Sequence, residues 1–386
     1  MSRIVYLMGA GASRGRRKTD VPQYKLEKDE GDIIEGLPLV NEISERLDFH
    51  IMSFERHYKV PDSLKNAIFP IGETGGIGYD QVTDLLVKDL KWLKEESARH
   101  ATIDTFAKKL YLKGDMATFY KVELLLTIFF VLEQLINKPD GRYDTFLASV
   151  LTKELEIPDD ISILTWNYDS QFEIAYKEYL SNDFNYIHNK LRIYDVKTDK
   201  PIGEVNEKPK GVIKADDKEK FHNMKAFEPH KIVKLNGTAN FKEMLPITDY
   251  YGAESEVYLR EILNRYVLYN NGREDYGYTR LSFAWDNNGY VNSFFDDKIE
   301  SMVGDAETLV VIGYTFPFFN RETDRRVFAK MNNLSQIYIQ DPHADRIIKN
   351  IIPVMSDYQK DVYQLRLNDG IEPITNVDQF YLPPEL

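Results

Sequence analysis

Five short polar clusters in this chain carry side chains that could do chemistry. The first, "GAGAS" (Gly9, Ala10, Gly11, Ala12, Ser13), follows an apolar run. Its glycines would let backbone N–H groups approach a phosphate, with the Ser13 hydroxyl adding a further contact. A tight structural turn is the plainer reading of the same residues. The second cluster, "TWNYD", sets Thr165, Asn167 and Asp169 together. An amide such as Asn167 both donates and accepts, which suits a ribose hydroxyl or a water; Asp169 can accept from a carboxamide or steady a positive charge. Taken alone, Asp169 reads better as a cap for the helix predicted in "SQFEIAYKEYL". In "HKIVKLNGTANF" a buried strand breaks at Asn236-Gly237 into a polar turn. In "GYTFPFFN", Gly313, Tyr314 and Thr315 could reach a phosphate or ribose, and Asp341 in "QDPHAD" could hold ribose hydroxyls.

Several chemistries are disfavoured by the same residues. The sixth position from Gly9 is Arg14 rather than glycine, and no acidic residue follows a second strand, so the dinucleotide fingerprint of hydride-transfer enzymes is broken. No Gly-Lys-Ser/Thr pair follows the glycines. The Asp341, His343, Asp345 spacing hints at a metal, but the other histidines show no ligand spacing, and the expectation is no metal. The basic run Arg14, Arg16, Arg17, Lys18 reads first as a solvated loop, and second as a partner for pyrophosphate.

The elements that must position these clusters are legible as patterns. "RIVYLM", "ISILT", "KIVKL", "TLVVI" and "SQIYI" are short, continuous apolar runs, as expected of parallel strands buried on both faces. Each ends in one of the five clusters, and in an open doubly wound sheet ligands bind beyond the carboxyl ends of the strands. The spacing predicts helices in "LPLVNEISERLDFHI" and in "DQVTDLLVKDLKWLKEE", the latter with Val82, Leu85, Leu86, Leu90 and Leu93 on one face. "MATFYKVELLLTIFFVLEQLINK" is apolar nearly all round and is expected at the centre of a helical bundle. "VNSFFDDKIESMVGDA", with Phe294, Phe295, Ile299, Met302 and Val303, should be a helix feeding a strand. The domain reading is a core of 1–40 and 155–345, a helical insertion of 41–154, and a C-terminal extension of 346–386 packed on the core. Residues 182–229 and 243–290 read as polar insertions.

Composition narrows the function classes. The 386 residues carry 43% hydrophobic side chains and a formal net charge of −13, which opposes general binding to nucleic acids or anionic membranes. With no cysteine, disulfides, iron–sulfur clusters, thiol nucleophiles and cysteine-based zinc sites are excluded. The longest apolar stretch, Leu124–Leu132, is far short of the about 20 residues that span a bilayer. A cytoplasmic protein is expected.

Taken in order, "GAGAS", "TWNYD", "KLNGT" and "VVIGYTFP" resemble the sirtuin-like domains of bacterial antiphage-defence proteins, over roughly 1–40 and 155–345. The resemblance implies an α/β fold with a Rossmann-like doubly wound parallel sheet and a large helical insertion. It implies NAD as substrate, with Ala10–Ser13 on the dinucleotide phosphates. Asn167 and Asp169 would work at the nicotinamide ribose and carboxamide, and Gly313–Thr315 and Asp341 at the adenosine half. Deacylating sirtuins carry a four-cysteine zinc module that this chain cannot build, so the resemblance points to NAD cleavage by water, to nicotinamide and ADP-ribose. It further implies control by a homo-oligomer or a partner, a HerA-type ATPase by analogy, with nucleic acid involved only indirectly.

One position departs from the family in a way that bears on mechanism. Where the family has a histidine, this chain has Asn236, and an amide takes no proton at neutral pH. Nicotinamide leaves as a neutral molecule from a cationic ring, so departure needs no protonation. Placing water and stabilising positive charge could then suffice, with Asn167 and Asn236 orienting water and ribose. The alternative is a catalytically weak sensor or structural subunit that binds NAD or ADP-ribose.

Overall fold

In the computed structural model the described residues are 3–17, 35–56, 62–71, 75–180, 187–196, 200–201, 230–241, 244, 247, 255–273, 278–286, 292–365 and 370–386. Lys18 and most of the segments 182–229 and 243–254 lie outside them, as do the side chains of Phe294 and Phe295.

The chain begins with β1 (Arg3–Met8) and then makes α1 (Ile43–Glu55), α2 (Asp62–Lys65), a hairpin of β2 (Ile68–Ile71) and β3 (Gly75–Gly78), and α3 (Tyr79–Arg99). Next come α4 (Ile103–Lys113), α5 (Met116–Ile136), α6 (Gly141–Val150), β4 (Ile161–Thr165), α7 (Gln171–Lys177) and α8 (Ile187–Leu191). Five short strands and a helix follow: β5 (Ile193–Asp195), β6 (Lys200–Pro201), β7 (Ile232–Lys234), β8 (Gly237–Phe241), α9 (Ser255–Asn270) and β9 (Thr279–Leu281). The last third is α10 (Asn292–Val303), β10 (Ala306–Ile312), α11 (Arg321–Lys330), β11 (Gln336–Gln340), α12 (Ala344–Ile351), α13 (Asp357–Leu365) and β12 (Ile371–Ile374).

Eight strands form one sheet in the order β12-β11-β10-β1-β4-β7-β5-β6. Every pairing is parallel except that of the short edge strand β6 with β5. The fold is therefore mixed α/β, with a seven-stranded parallel sheet flanked by helices in a Rossmann-like arrangement. The register explains why the polar clusters converge. Asp195, Lys234, Thr165, Met8, Ile312, Gln340 and Ile374 are successive partners across the sheet. Leu235, Trp166, Gly9, Gly313 and Asp341 each come one residue beyond that row.

Alternation along the strands sends side chains to two cores. Val5, Leu7, Leu309 and Val311 face one side, with Ile299, Met302 and Val303 of α10 and Val327 and Phe328 of α11. Ile4, Tyr6, Met8, Val310 and Ile312 face the other, with Tyr143, Phe146, Leu147 and Val150 of α6 and Phe172 of α7. α6 therefore belongs to the layer that covers the sheet. The C-terminal segment returns to the sheet: β12 pairs with β11, and Gln340 donates to the carbonyls of Asn376 and Gln379.

A third core lies in the helical layer. α5 is buried continuously from Val122 to Gln134, matching its all-round apolar sequence. On α3, Val82, Leu86, Leu90 and Leu93 are buried, whereas Leu85 is exposed. This core also takes in Ala239 and Phe241 of β8, Tyr258, Ile262 and Tyr266 of α9, and Leu281 of β9. The described part of 237–283 thus shares its apolar interior with α1–α5. Asp89 of α3 joins the three longest helices, pairing with Lys121 of α5 at 2.6 Å and accepting from the Tyr266 hydroxyl of α9 at 2.9 Å. Buried Glu133 of α5 likewise takes Arg46 (2.9 Å) and His50 (2.6 Å) of α1, and these hydrogen bonds with the Arg46 charge hold its carboxyl low against the effect of burial. No helix among the described residues is long and apolar enough to cross a membrane.

Candidate functional site

The chain leaves β1 toward β4 on one side and returns to β10 on the other, so the order reverses beside β1. Crevices at such reversals, beyond the strand ends, are where open α/β sheets bind ligands. Two glycine turns meet there. Gly9 N–H donates to the carbonyl of Ile312 and Gly11 N–H to that of Gly313, both at 3.0 Å. A Cβ on Gly9 would lie 2.7 Å from the Gly313 oxygen, and one on Gly11 2.7 Å from the Gly313 Cα. Backbone packs on backbone at this point, which is what the glycines are needed for.

The phosphate-cradling reading of "GAGAS" needs free amides, and most are engaged. Besides Gly9 and Gly11, Ala12 donates to Gly9 and Ser13 to Ala10 within a short 3-10 turn. Of these five residues Ala10 is the exposed one. The nearby arginines are also committed: Arg16 pairs with Glu35 (2.8 Å), and buried Arg17 with Glu42 (2.8 Å) and the Leu37 carbonyl. Glu42 is held below the usual carboxylate range by Arg17 and by the Leu39 N–H, which together outweigh its burial.

The second cluster is tied directly to the first. Asn167 Nδ2 donates to Ser13 Oγ at 2.9 Å, across a separation of 154 residues, and Ser13 Oγ also contacts the Tyr143 hydroxyl at 2.8 Å. Thr165 Oγ1 accepts from the Asn167 N–H at 3.1 Å, which folds the strand end back on itself. α6 and α7 clamp the turn from beneath. Arg142 donates to the carbonyls of Gly11 and Ala12, and Gln171 Nε2 to that of Ser13. Asp140, the N-cap of α6, holds Arg142 and accepts from the Gly15 N–H at 2.8 Å.

Asp169 faces inward. Its carboxylate accepts from the Gln171 N–H at 3.0 Å, so it does serve the start of α7. Four residues on, Glu173 shares the same buried space, where Lys234 Nζ lies 2.6 Å from Glu173 and donates to the Asp169 carbonyl. Burial raises the pKa of both carboxyls, opposed by the single lysine between them. The cavity bounded by Tyr143, Thr165, Asp169, Glu173 and Lys234 measures about 10 Å³, close to the least that admits one water.

On the other side of Thr165, Trp166 stacks on Tyr314 with ring centres 5.8 Å apart. The Tyr314 hydroxyl donates to both oxygens of buried Asp324, whose carboxyl burial pushes up to about 8. The indole N–H of Trp166 lies near that carboxyl without reaching hydrogen-bond geometry. Phe316, packed against Tyr314 at 4.8 Å, holds a φ of +52°. Left-handed backbone at a bulky residue is strained, and such strain collects at functional turns. Asn236 Nδ2 donates to the Trp166 carbonyl at 3.2 Å, while its Oδ1 is buried with no hydrogen-bond partner among the described residues.

Asn167, Asp169, Asn236, Thr165, the Gly9–Ser13 turn, Gly313 and Tyr314 are therefore gathered at the reversal point. Thr315 and Asp341 stand further out. Thr315 is exposed, and its carbonyl accepts from Asn350; Asp341 accepts from the His343 N–H at 2.8 Å at the start of α12. Among the described residues no three or more His, Asp or Glu side chains are grouped as a metal site. Tyr143, Arg142, Gln171, Lys234 and Asp324 were not anticipated. One of them had a signal: Asp140-Gly-Arg is a helix-start pattern.

Neither protein-family models nor curated proteins compared with the chain provide a match.

Proposed function

We propose that the chain hydrolyses NAD to nicotinamide and ADP-ribose in the crevice above the ends of β1, β4, β7 and β10. The observation that carries this reading is the meeting of Asn167, locked to Ser13, with an unpartnered buried acceptor on Asn236 at the point where strand order reverses. An unsatisfied buried acceptor costs about 1–3 kcal/mol, a cost that a ligand donor such as water or a ribose hydroxyl would relieve. The bond to be broken has a pyridinium leaving group, which departs neutral once it takes the bonding electron pair. The site then has to orient water and stabilise an oxocarbenium-like cation. Asn167 and Asn236 serve the first task, and the buried carboxyls of Asp169 and Glu173 lend negative potential to the second. Gly313 and Tyr314 wall the adenosine side, with Thr315 and Asp341 at its outer rim. NAD depletion in antiphage defence, a homo-oligomeric state, control by a HerA-type ATPase and a cytoplasmic setting rest on the motif resemblance alone.

A second reading has a specific observation in its favour. The amides of the "GAGAS" turn are largely engaged and Asn236 cannot take a proton, both of which suit a weak NAD or ADP-ribose-binding sensor. Incubation of the purified chain with NAD and chromatography of the products separates the two. Free nicotinamide supports the hydrolase, and NAD bound but recovered intact supports the sensor.

A further inference from the structure

The first two strand-end turns meet through a single oxygen. Ser13 Oγ accepts from Asn167 Nδ2 at 2.9 Å and lies 2.8 Å from the Tyr143 hydroxyl, so it joins the end of β4 to α6. Asn167 depends on that contact. Its backbone N–H is taken by Thr165 Oγ1, and Ser13 Oγ is the one hydrogen-bond partner of its side chain among the described residues. A side-chain amide can turn about its last bond and exchange a donating nitrogen for an accepting oxygen. With Nδ2 committed to Ser13, Oδ1 is the atom left to accept from a water or a hydroxyl.

Whatever fixes Ser13 therefore fixes the amide. A serine hydroxyl has one proton and two acceptor positions. Asn167 fills one acceptor position, and Tyr143 takes either the proton or the second. Burial, and after it the charge of Asp169, push the Tyr143 phenol well above its ordinary range, so it keeps its own proton. The ring is held from several sides. α6 starts at the Asp140 cap, and Tyr143, 2% exposed, meets Phe172 of α7 at 5.7 Å and Phe380 of the C-terminal segment at 5.0 Å, edge-on to both. The neighbouring Arg142 grips the carbonyls of Gly11 and Ala12. The first turn of α6 thus holds the backbone of the glycine turn through Arg142 and its side chain through Tyr143. A core tyrosine needs only some polar partner; this one has the oxygen that holds Asn167.

We propose that Tyr143 is a positioning residue for NAD cleavage, acting through Ser13 to hold the Asn167 amide in the orientation that presents Oδ1 to the crevice. This rests on the NAD-cleaving reading above. The phenol itself stays beneath the turn and touches no reacting atom. Without its hydroxyl, Ser13 is free to rotate and the amide with it. The rate then falls because less of the bound NAD meets a correctly set Asn167, and not because less NAD binds.

The test measures nicotinamide release against NAD concentration by the full chain, Tyr143→Phe, Ser13→Ala and the double variant, with thermal melting of each as a check on folding. Tyr143→Phe keeps the ring and its packing, and its kcat should be lower by about tenfold, the worth of one neutral hydrogen bond, with KM little changed. Ser13→Ala removes the same link from the other end and should lower kcat at least as far. The double variant should be no slower than Ser13→Ala, since Tyr143 acts only through that oxygen. An active wild type with either single variant at full rate overturns the role of Tyr143 and leaves the hydrolase reading intact. Losses that multiply in the double variant, or a Tyr143→Phe effect confined to KM, overturn it likewise. A wild type that releases no nicotinamide overturns both.

Discussion

Replacing Gly313 by alanine tests whether the two glycine turns are held together as the structure has them. Gly313 has a φ of +59°, and a Cβ there would sit 2.5 Å from Ala12 N and Gly11 Cα. Two costs follow: about 1–2 kcal/mol for a left-handed L-residue, and about 1–3 kcal/mol for forcing atoms into packed space. Gly114, which ends α4, supplies the control, since its φ is +72° but a Cβ would meet nothing within 4 Å. Gly114→Ala should therefore lose only the backbone part, about 1–2 kcal/mol. Any gain from a stiffer unfolded chain is common to both variants and cancels in the comparison. Urea unfolding followed by circular dichroism, with equal slopes, gives the difference from the midpoints. Gly313→Ala should be the less stable of the two by about 1–3 kcal/mol. A Gly313→Ala midpoint equal to or above that of Gly114→Ala would refute the backbone-on-backbone packing of the turns.

Two further perturbations separate stability from function. Asp324 binds a proton in the folded state up to about pH 8 but in the unfolded chain only to the ordinary carboxylate value, so its contribution to stability falls as pH rises between them. Asp324→Asn removes that fall, and relative to wild type it should gain stability from pH 5 to pH 8, by at most about 4 kcal/mol at 1.36 kcal/mol per unit; parallel melting curves at the two pH values would show otherwise. Asn236→Leu removes a buried acceptor that has no partner together with the bond from Nδ2 to the Trp166 carbonyl, a gain and a loss that offset, so its midpoint in urea should stay within about 1 kcal/mol of wild type while nicotinamide release is lost. Retained turnover in that variant would take Asn236 out of the site.

The strand ends were legible because strands buried on both faces are written as unbroken apolar runs, and a polar residue after such a run marks where burial stops. That logic places Gly9, Trp166, Gly313 and Asp341 in one line, and the register agrees. What the glycines do there was less legible. Sequence alone cannot show whether a turn's amides face a ligand or another turn, and here Gly11 N–H is taken by Gly313. The groups beneath the site were hidden for a different reason. Tyr143, Arg142 and Gln171 are single polar residues on helices, and only the packing of α6 and α7 brings them to the Gly11–Ser13 turn. Lys234 ends a three-residue strand, and a lone lysine there does not show in the sequence that it is 1% exposed between two carboxyls. β12 escaped notice because "IEPI" carries proline and glutamate, both at home on an edge strand. The region 243–290 reads as a polar insertion, but its scattered Tyr258, Ile262, Tyr266 and Phe283 find a core only against α1–α5.

The most direct test of the central claim is nicotinamide release from NAD by the purified chain beside Asn167→Ala, which removes the amide bound to Ser13. The account predicts turnover by the chain as it stands and its loss in Asn167→Ala, with the melting temperature of the variant near that of wild type. Turnover that survives the loss of Asn167, or NAD that is bound and returned uncleaved by the wild-type chain, would contradict it.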